Sequence, residues 1–168
     1  MSDGSISIKI APDYEMGAVQ KQVEDYGQGE DLVLNDLFFP PLKISDFRNQ
    51  ARLDGTVTTA RLKDALIEAI AAVNDELEAF KQHSTSEFFA DIPCAKINNE
   101  SVLVYRYRRA VTCLALANIY ERYSSYDTTN DGEKKTELLK DSIDQLRRDA
   151  RFAISDILKR PRVDAELI

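Results

Sequence analysis

Glycine and proline are scarce in this chain, six and five in 168 residues. An all-β fold uses those residues at its many turns, so their scarcity argues against one and for helices. Histidine is scarcer still, with His83 standing alone. A catalytic triad or a histidine-based metal site needs companions that this chain does not supply. Cysteine occurs twice, at Cys94 and Cys113, without a C-x-x-C spacing, and the chain has no Gly-rich phosphate loop and no G-x-S-x-G. With 29 Asp and Glu residues, the chance meeting of two carboxylates carries no information about catalysis. The longest apolar run, around Ala110 to Tyr120, falls far short of the ~20 residues of a membrane span. The opening MSDGSISIKIAPDYE lacks the charged-then-apolar order of a secretory signal. These absences point to a soluble protein that is not an enzyme, with no cofactor and no membrane association.

Basic charge is in deficit as well. A formal net charge of −7 argues against a general nucleic-acid binder, because phosphate neutralisation supplies most non-specific affinity. The acid is concentrated at the N-terminus: within residues 1–36 only Lys9 and Lys21 oppose a run of Asp and Glu residues, and four of the six glycines lie there. Ile6, Ile8 and Ile10 alternate with polar residues, a weak strand signal. Residues 1–36 read as a flexible or extended acidic arm, which could order against a neighbouring subunit by adding to a sheet edge.

Helical periodicity begins at about residue 45. Pro40 and Pro41 follow Phe38 and Phe39 and block a helix entering from the N-terminal side. Ser45 is suited to cap a short helix over 46–53, with Asp46 in its first turn and Gly55 as its stop. Thr58 or Thr59 can cap a second helix over 59–82, whose Leu62, Leu66, Ala69, Ile70, Val73, Leu77 and Phe80 form one stripe. A connector over 83–99 carries Phe88, Phe89, Pro93 and Cys94. A third helix over 100–126 is apolar on most sides around AVTCLALANIY and should be central, with Cys113 a small core residue. A fourth over 133–159 spaces Leu139, Ile143, Leu146, Ala150, Ala153 and Ile157 close to a heptad seam. The expected fold is all-α: a bundle of about four helices over residues 37–160, with the acidic arm before it and a tail over 161–168.

From Phe38 to Phe80 the order FFP, a short helix ending in ARLDGTVT, then ARL, an alanine-rich helix and VNDEL resembles the head completion (head stabilisation) proteins of contractile-tailed temperate bacteriophages, the GPL family. The likeness runs on through YRYRRAVTCLALANIYERY and covers roughly residues 37–160. The resemblance implies a structural virion protein: an adaptor that forms a ring on the portal, retains the packaged DNA and offers a surface to the tail. Its implied partners are the portal protein, neighbouring copies of itself (a dodecamer if the ring follows portal symmetry), and a tail terminator or neck protein. DNA would pass through the lumen without specific binding. It implies residence in the virion, and in the host cytoplasm before assembly.

Several residues invite a functional reading. By analogy with other phage adaptors, the C-terminal Arg160, Arg162, Leu167 and Ile168 are expected to dock on the portal. Phe38, Phe39, Phe88, Phe89, Arg106 and Arg109 are candidates for contacts between subunits, because aromatic residues and Arg are favoured at interfaces; the two Phe pairs could equally close the ends of the bundle. In YRYRR, Arg106 and Arg109 share a helix face while Arg108 points elsewhere, so ion pairing competes with nucleic-acid stacking. Arg147, Arg148 and Arg151 form a second basic cluster near Asp144 and Asp149. The two Arg clusters support an alternative function, a helical regulator that binds protein or nucleic acid. The loop after the third helix matches a calcium loop at Asp127, Asp131 and Gly132, but Thr129 and Leu138 stand where ligands are needed, and helix capping explains the same residues. His83 reads as a surface residue at a helix C-terminus.

Overall fold

A computed structural model describes the backbone of residues 31–51, 57–124 and 130–161, and side chains over 31–50, 57–122 and 141–161. Its order is β1 (Leu32–Val33), β2 (Leu42–Lys43), α1 (Ile44–Ala51), α2 (Thr59–His83), a 3₁₀ turn (Phe89–Asp91), β3 (Lys96–Ile97), β4 (Glu100–Ser101), α3 (Val102–Ser124) and α4 (Asn130–Ile157). The helical bundle expected from composition is what forms. The proposed Gly55 stop, the residues Ile6, Ile8 and Ile10, and the calcium-like positions Asp127 and Thr129 lie outside the described residues.

The stripe on α2 is buried as its spacing predicts: Leu62, Leu66, Ala69, Ile70, Val73 and Leu77 enter the core, Ala65 joins them, and Phe80 is half-buried against it. The Thr58 side chain accepts the Arg61 N–H at the start of this helix. Helix α3 is central, packing α4 along one side and α2 along the other, while α2 and α4 barely meet. The small side chains Ala110, Ala115 and Ala117 are fully buried, and small residues let neighbouring backbones approach closely. Cys113, expected in the core, is only half-buried. On α4 the seam is Ile143, Ala150, Ala153, Ile154 and Ile157, with Leu146 partly covered.

Three helix starts differ from expectation. Ser45 is not the cap of α1. It is the second residue of that helix, and its N–H and hydroxyl both donate to the Asp31 carboxylate at 2.7 and 2.5 Å. The Ile44 N–H donates to the Asp31 carbonyl at 2.8 Å. The pairing of β1 with β2, Leu32 opposite Lys43 and Val33 opposite Leu42, brings Asp31 to that position. Residues 31–36 are therefore joined to the bundle. Helix α3 starts at Val102 because Glu100–Ser101 pairs with Lys96–Ile97 in a hairpin, and the Ser101 hydroxyl then accepts the Val104 N–H. Asn98 and Asn99, at φ 51° and 61°, make the two-residue turn, where positive φ at both positions suits asparagine. Helix α4 starts at Asn130, so Gly132 is helical; a cost of about 1 kcal/mol against alanine is tolerable in a helix of 28 residues.

Candidate docking cleft

The aromatic candidates come together first. Phe38 and Phe39 are turned into the chain by Asp36, whose carboxylate accepts both of their backbone N–H groups at 3.1 and 2.9 Å. The Phe89 N–H donates to the Phe38 carbonyl at 2.9 Å. Phe39 stacks on Tyr107 with centroids 4.9 Å apart, and Phe89 lies against Phe38, Phe39, Phe80 and Tyr107. Phe38, Phe39 and Phe89 are buried in this cluster, so their rings are core and offer no surface to a neighbour. Phe88 is half-buried.

Beside this cluster lies a closed polar network that periodicity alone does not reveal. The Asn35 amide donates to the Tyr107 hydroxyl at 2.7 Å, Tyr107 donates to Asn74 at 2.7 Å, and the Asn74 amide donates back to Asn35 at 2.9 Å. Asn35 also donates to the Pro40 carbonyl at 3.2 Å. Burial pushes the Tyr107 pKa well above its ordinary value, with the hydrogen bond from Asn35 opposing. Lys81 pairs with Asp36 at 2.6 Å. The segment 31–39 is thereby strapped to α2 and α3 on the Tyr107 side.

The arginines of YRYRR build the other side. Arg109 pairs with Asp149 of α4 at 3.2 Å. Arg106 reaches the Asp156 carboxylate at 3.6 Å and its carbonyl at 3.2 Å. Arg108, on its separate face, pairs with Glu100 of the hairpin. Together α3, α4 and the β3–β4 hairpin enclose a cleft of about 840 Å³, lined chiefly by Ile97, Tyr105, Arg106, Arg109, Phe152 and Asp156. Ile97 and Tyr105 stand exposed at its edge. In the second basic cluster, Arg147 pairs with Glu121 of α3 at 2.6 Å and Arg148 donates to Gln145.

The remaining sequence candidates are dispersed. Arg160 is exposed just past α4, its N–H bonded to the Ser155 carbonyl at 2.9 Å. Arg162, Leu167 and Ile168 lie outside the described residues. His83 ends α2 exposed, its ring nitrogen 2.5 Å from the Ala79 carbonyl. Cys94 and Cys113 are both free thiols. Among the described residues no cluster of metal-ligating side chains occurs and no helix is long and apolar enough to cross a membrane.

The described residues thus form a central helix held between two others, with Arg106, Arg108 and Arg109 paired and an open cleft beside it. The class is a structural one. A family model described as phage head completion protein (GPL) matches residues 33–168, and this chain belongs to that family, one of virion components rather than enzymes. It is 37% identical over 136 residues to the head completion/stabilization protein of Escherichia phage P2, an alignment that takes in 79% of this chain and 80% of the relative. No solved structure matches.

Proposed function

We propose that the protein assembles as a ring on the portal of the DNA-filled head, holds the packaged genome in place and presents the surface on which the tail docks. The observation that carries this reading is family membership across nearly the whole helical bundle. The architecture agrees with it in kind. Arg106, Arg108, Arg109 and Arg147 of the described surface are held in ion pairs, and the chain as a whole is acidic, so packaged DNA would find little to adhere to. Contacts around a closed ring join one face of a subunit to a different face of the next, and the open cleft is one candidate face. The segment from Arg160 through Arg162 to Leu167 and Ile168 is the part we assign to the portal, since Arg160 stands exposed just past α4.

Incubating the purified protein with DNA-filled, tailless heads and imaging the portal vertex by electron microscopy tests the assignment. A ring of added density beneath the portal is the expected result, and its subunit number follows from the same images. Bare vertices on accessible portals would overturn it. A chain ending at Arg160 should keep its helicity by circular dichroism yet fail to dock; normal docking would remove the C-terminal segment from the contact.

A further inference from the structure

We infer that the outward face of α2 on one copy meets the outward face of α4 on the next, with the carboxylates Asp64, Glu68, Asp75 and Glu78 set against the cations Arg148, Arg151 and Lys159. The inference rests on the ring reading proposed above and names the two faces that would join.

The acidic face follows from helical spacing. Asp64, Glu68 and Asp75 each stand two positions after a buried residue, Leu62, Leu66 and Val73, and so are turned roughly 200° from the core. Glu78, three residues after Asp75, extends the stripe, and all four carboxylates are exposed. Ile67, 46% exposed, and Ala71 lie between them. No free cation shares the stripe. Lys81 is committed to Asp36, Lys63 is turned roughly 100° aside from Asp64, and Arg61 precedes the stripe in the first turn. Like charges at three- and four-residue spacing destabilise an isolated helix, so this row is better suited to meeting cations than to standing alone.

Helix α4 carries the complement. Arg148 and Arg151 stand two positions before the buried Ala150 and Ala153, and both are turned outward and exposed. Arg148 donates to Gln145 and not to Asp144, one turn before it. Lys159 is exposed just past the helix at φ 52°, a position where glycine is usual, so a lysine side chain is kept there at a backbone cost. Asp149 and Asp156 are paired with Arg109 and Arg106 on the α3 side. Asp141 and Asp144 lie before Arg148, below the length that the α2 stripe covers.

The two faces also stand level. Tyr107 of α3 bonds Asn74 of α2, and its neighbour Arg106 reaches Asp156 of α4, so Asn74 and Asp156 mark one height. Both outer helices run opposite to α3. Phe80 near the end of α2 and Tyr107 near the start of α3 both lie on Phe89, and Arg106 and Arg109 meet Asp156 and Asp149 in reverse order. From that height, Asp64 and Glu68 lie ten and six residues back, and Arg148 and Arg151 eight and five. Asp75 and Glu78 lie one and four residues forward, with Lys159 three forward between them. Each cation is thus within about two residues, or about 3 Å along the axis, of a carboxylate. Helix α3 stands between α2 and α4, which barely meet, so one chain cannot join its own two faces. A neighbour rotated about an axis along the helices can. Different faces at one height are what a closed heterologous ring requires, and opposite charges in register fix the partner. A phosphate backbone would satisfy the arginines alone; the matched acidic row is what favours a second copy.

The test uses charge reversal on the full-length chain. Glu68→Arg and Arg151→Glu, each with unchanged helicity, should lower uptake on tailless heads by about tenfold, because like charges then meet across the contact. The double variant, which restores opposite charges between neighbours, should recover uptake. Single variants taken up like wild type, or a double variant no better than either single, would overturn the contact while leaving the ring reading intact. Loss of Arg151→Glu on DNA-filled heads but not on emptied ones would assign the basic face to DNA and overturn it too. Crosslinking supplies the second measurement, with Glu68→Cys, Arg151→Cys or both in chains where Cys94→Ser and Cys113→Ala leave no other thiol. Treated with a short bismaleimide on heads, a mixture of the two single variants should give a heterodimer and the double variant a ladder beyond dimers. Crosslinking of either single variant to itself, or no ladder on heads that have taken up the protein, would overturn the contact. Heads that refuse the wild-type chain would refute the ring reading instead. The crosslinks are then read on concentrated free protein, where a ladder supports the contact and monomer alone overturns it.

Discussion

Asn35 and Tyr107, 72 residues apart in sequence, share a hydrogen bond of 2.7 Å in which the asparagine amide donates to the phenolic oxygen. Asn74 closes the ring by accepting from Tyr107 and donating back to Asn35. Each member both donates and accepts, so the three side chains tie the strap, α2 and α3 at one point. Tyr107→Phe keeps the stacking on Phe39 but strands the Asn35 donor and the Asn74 acceptor. The expected cost is about 1–3 kcal/mol in chemical denaturation. A double-mutant cycle with Asn74→Ala should show strong coupling, because the second substitution removes a group that the first has already left without its partner. Additive effects would mean that the network contributes nothing beyond its separate bonds.

The same residue should contribute to the loss of stability at alkaline pH. Burial raises the folded-state pKa of Tyr107 above the ordinary tyrosine value of about 10. The folded state therefore holds this proton more tightly than the unfolded state does. The contribution is fully present below pH ~10 and is lost as pH rises from there toward the raised folded value. Denaturation midpoints measured between pH 8 and 11 should fall across that upper range, and the fall should be shallower in Tyr107→Phe. Identical slopes in the two proteins would show that Tyr107 is not the group responsible.

Helix α1 depends on a residue that is not adjacent to it in sequence. Asp31 accepts from both the N–H and the hydroxyl of Ser45, fourteen residues away, and so caps the helix from the β1 side. Asp31→Ala should destabilise the protein by about 1 kcal/mol, as loss of a helix cap does. Asp31→Asn, which keeps one acceptor oxygen, should cost less. Hydrogen exchange of the α1 amides should quicken in the alanine variant before that of α2; protection unchanged in α1 would remove Asp31 from this role.

What could be read from sequence follows the range of each cause. The α2 stripe and its Thr58 cap are consequences of local spacing, and the sequence displays both. Asp31 as a cap is not legible in this way, because only the β1–β2 pairing places it over Ser45. The β3–β4 hairpin was not read within the 83–99 connector: Asn98 and Asn99 suit a turn with positive φ, but strands of two residues give no alternation to support them. The Phe pairs were recognisable as anchors, yet whether they anchored the chain or a neighbour depended on Asp36 turning Phe38 and Phe39 inward. The i,i+3 spacing put Arg106 and Arg109 on one face. Their partners Asp149 and Asp156, forty and fifty residues on, and the cleft between them appear only when α4 packs against α3.

The two thiols should differ in reactivity, and the order follows from their surroundings. Burial tends to raise the Cys94 pKa, but the Ser101 hydroxyl at 3.1 Å and the first backbone N–H groups of α3, with Lys96 nearby, outweigh it and bring the value below that of an ordinary thiol. A helix N-terminus favours a thiolate in this way. Cys113 shifts in the opposite direction: burial raises its pKa, the Asp149 charge adds to the rise, and Arg109 only partly offsets them. Near neutral pH the thiolate fraction is therefore larger at Cys94. An aromatic disulfide reagent should give two kinetic phases, the faster by on the order of tenfold, with Cys94→Ser removing the fast phase and Cys113→Ala the slow one. Ser101→Ala should slow the fast phase, since it removes a hydrogen bond to the thiolate, and raising the pH should narrow the gap as Cys113 ionises. A fast phase that persists in Cys94→Ser would reverse the order and place the more available thiolate on the flank of α3 facing Asp149.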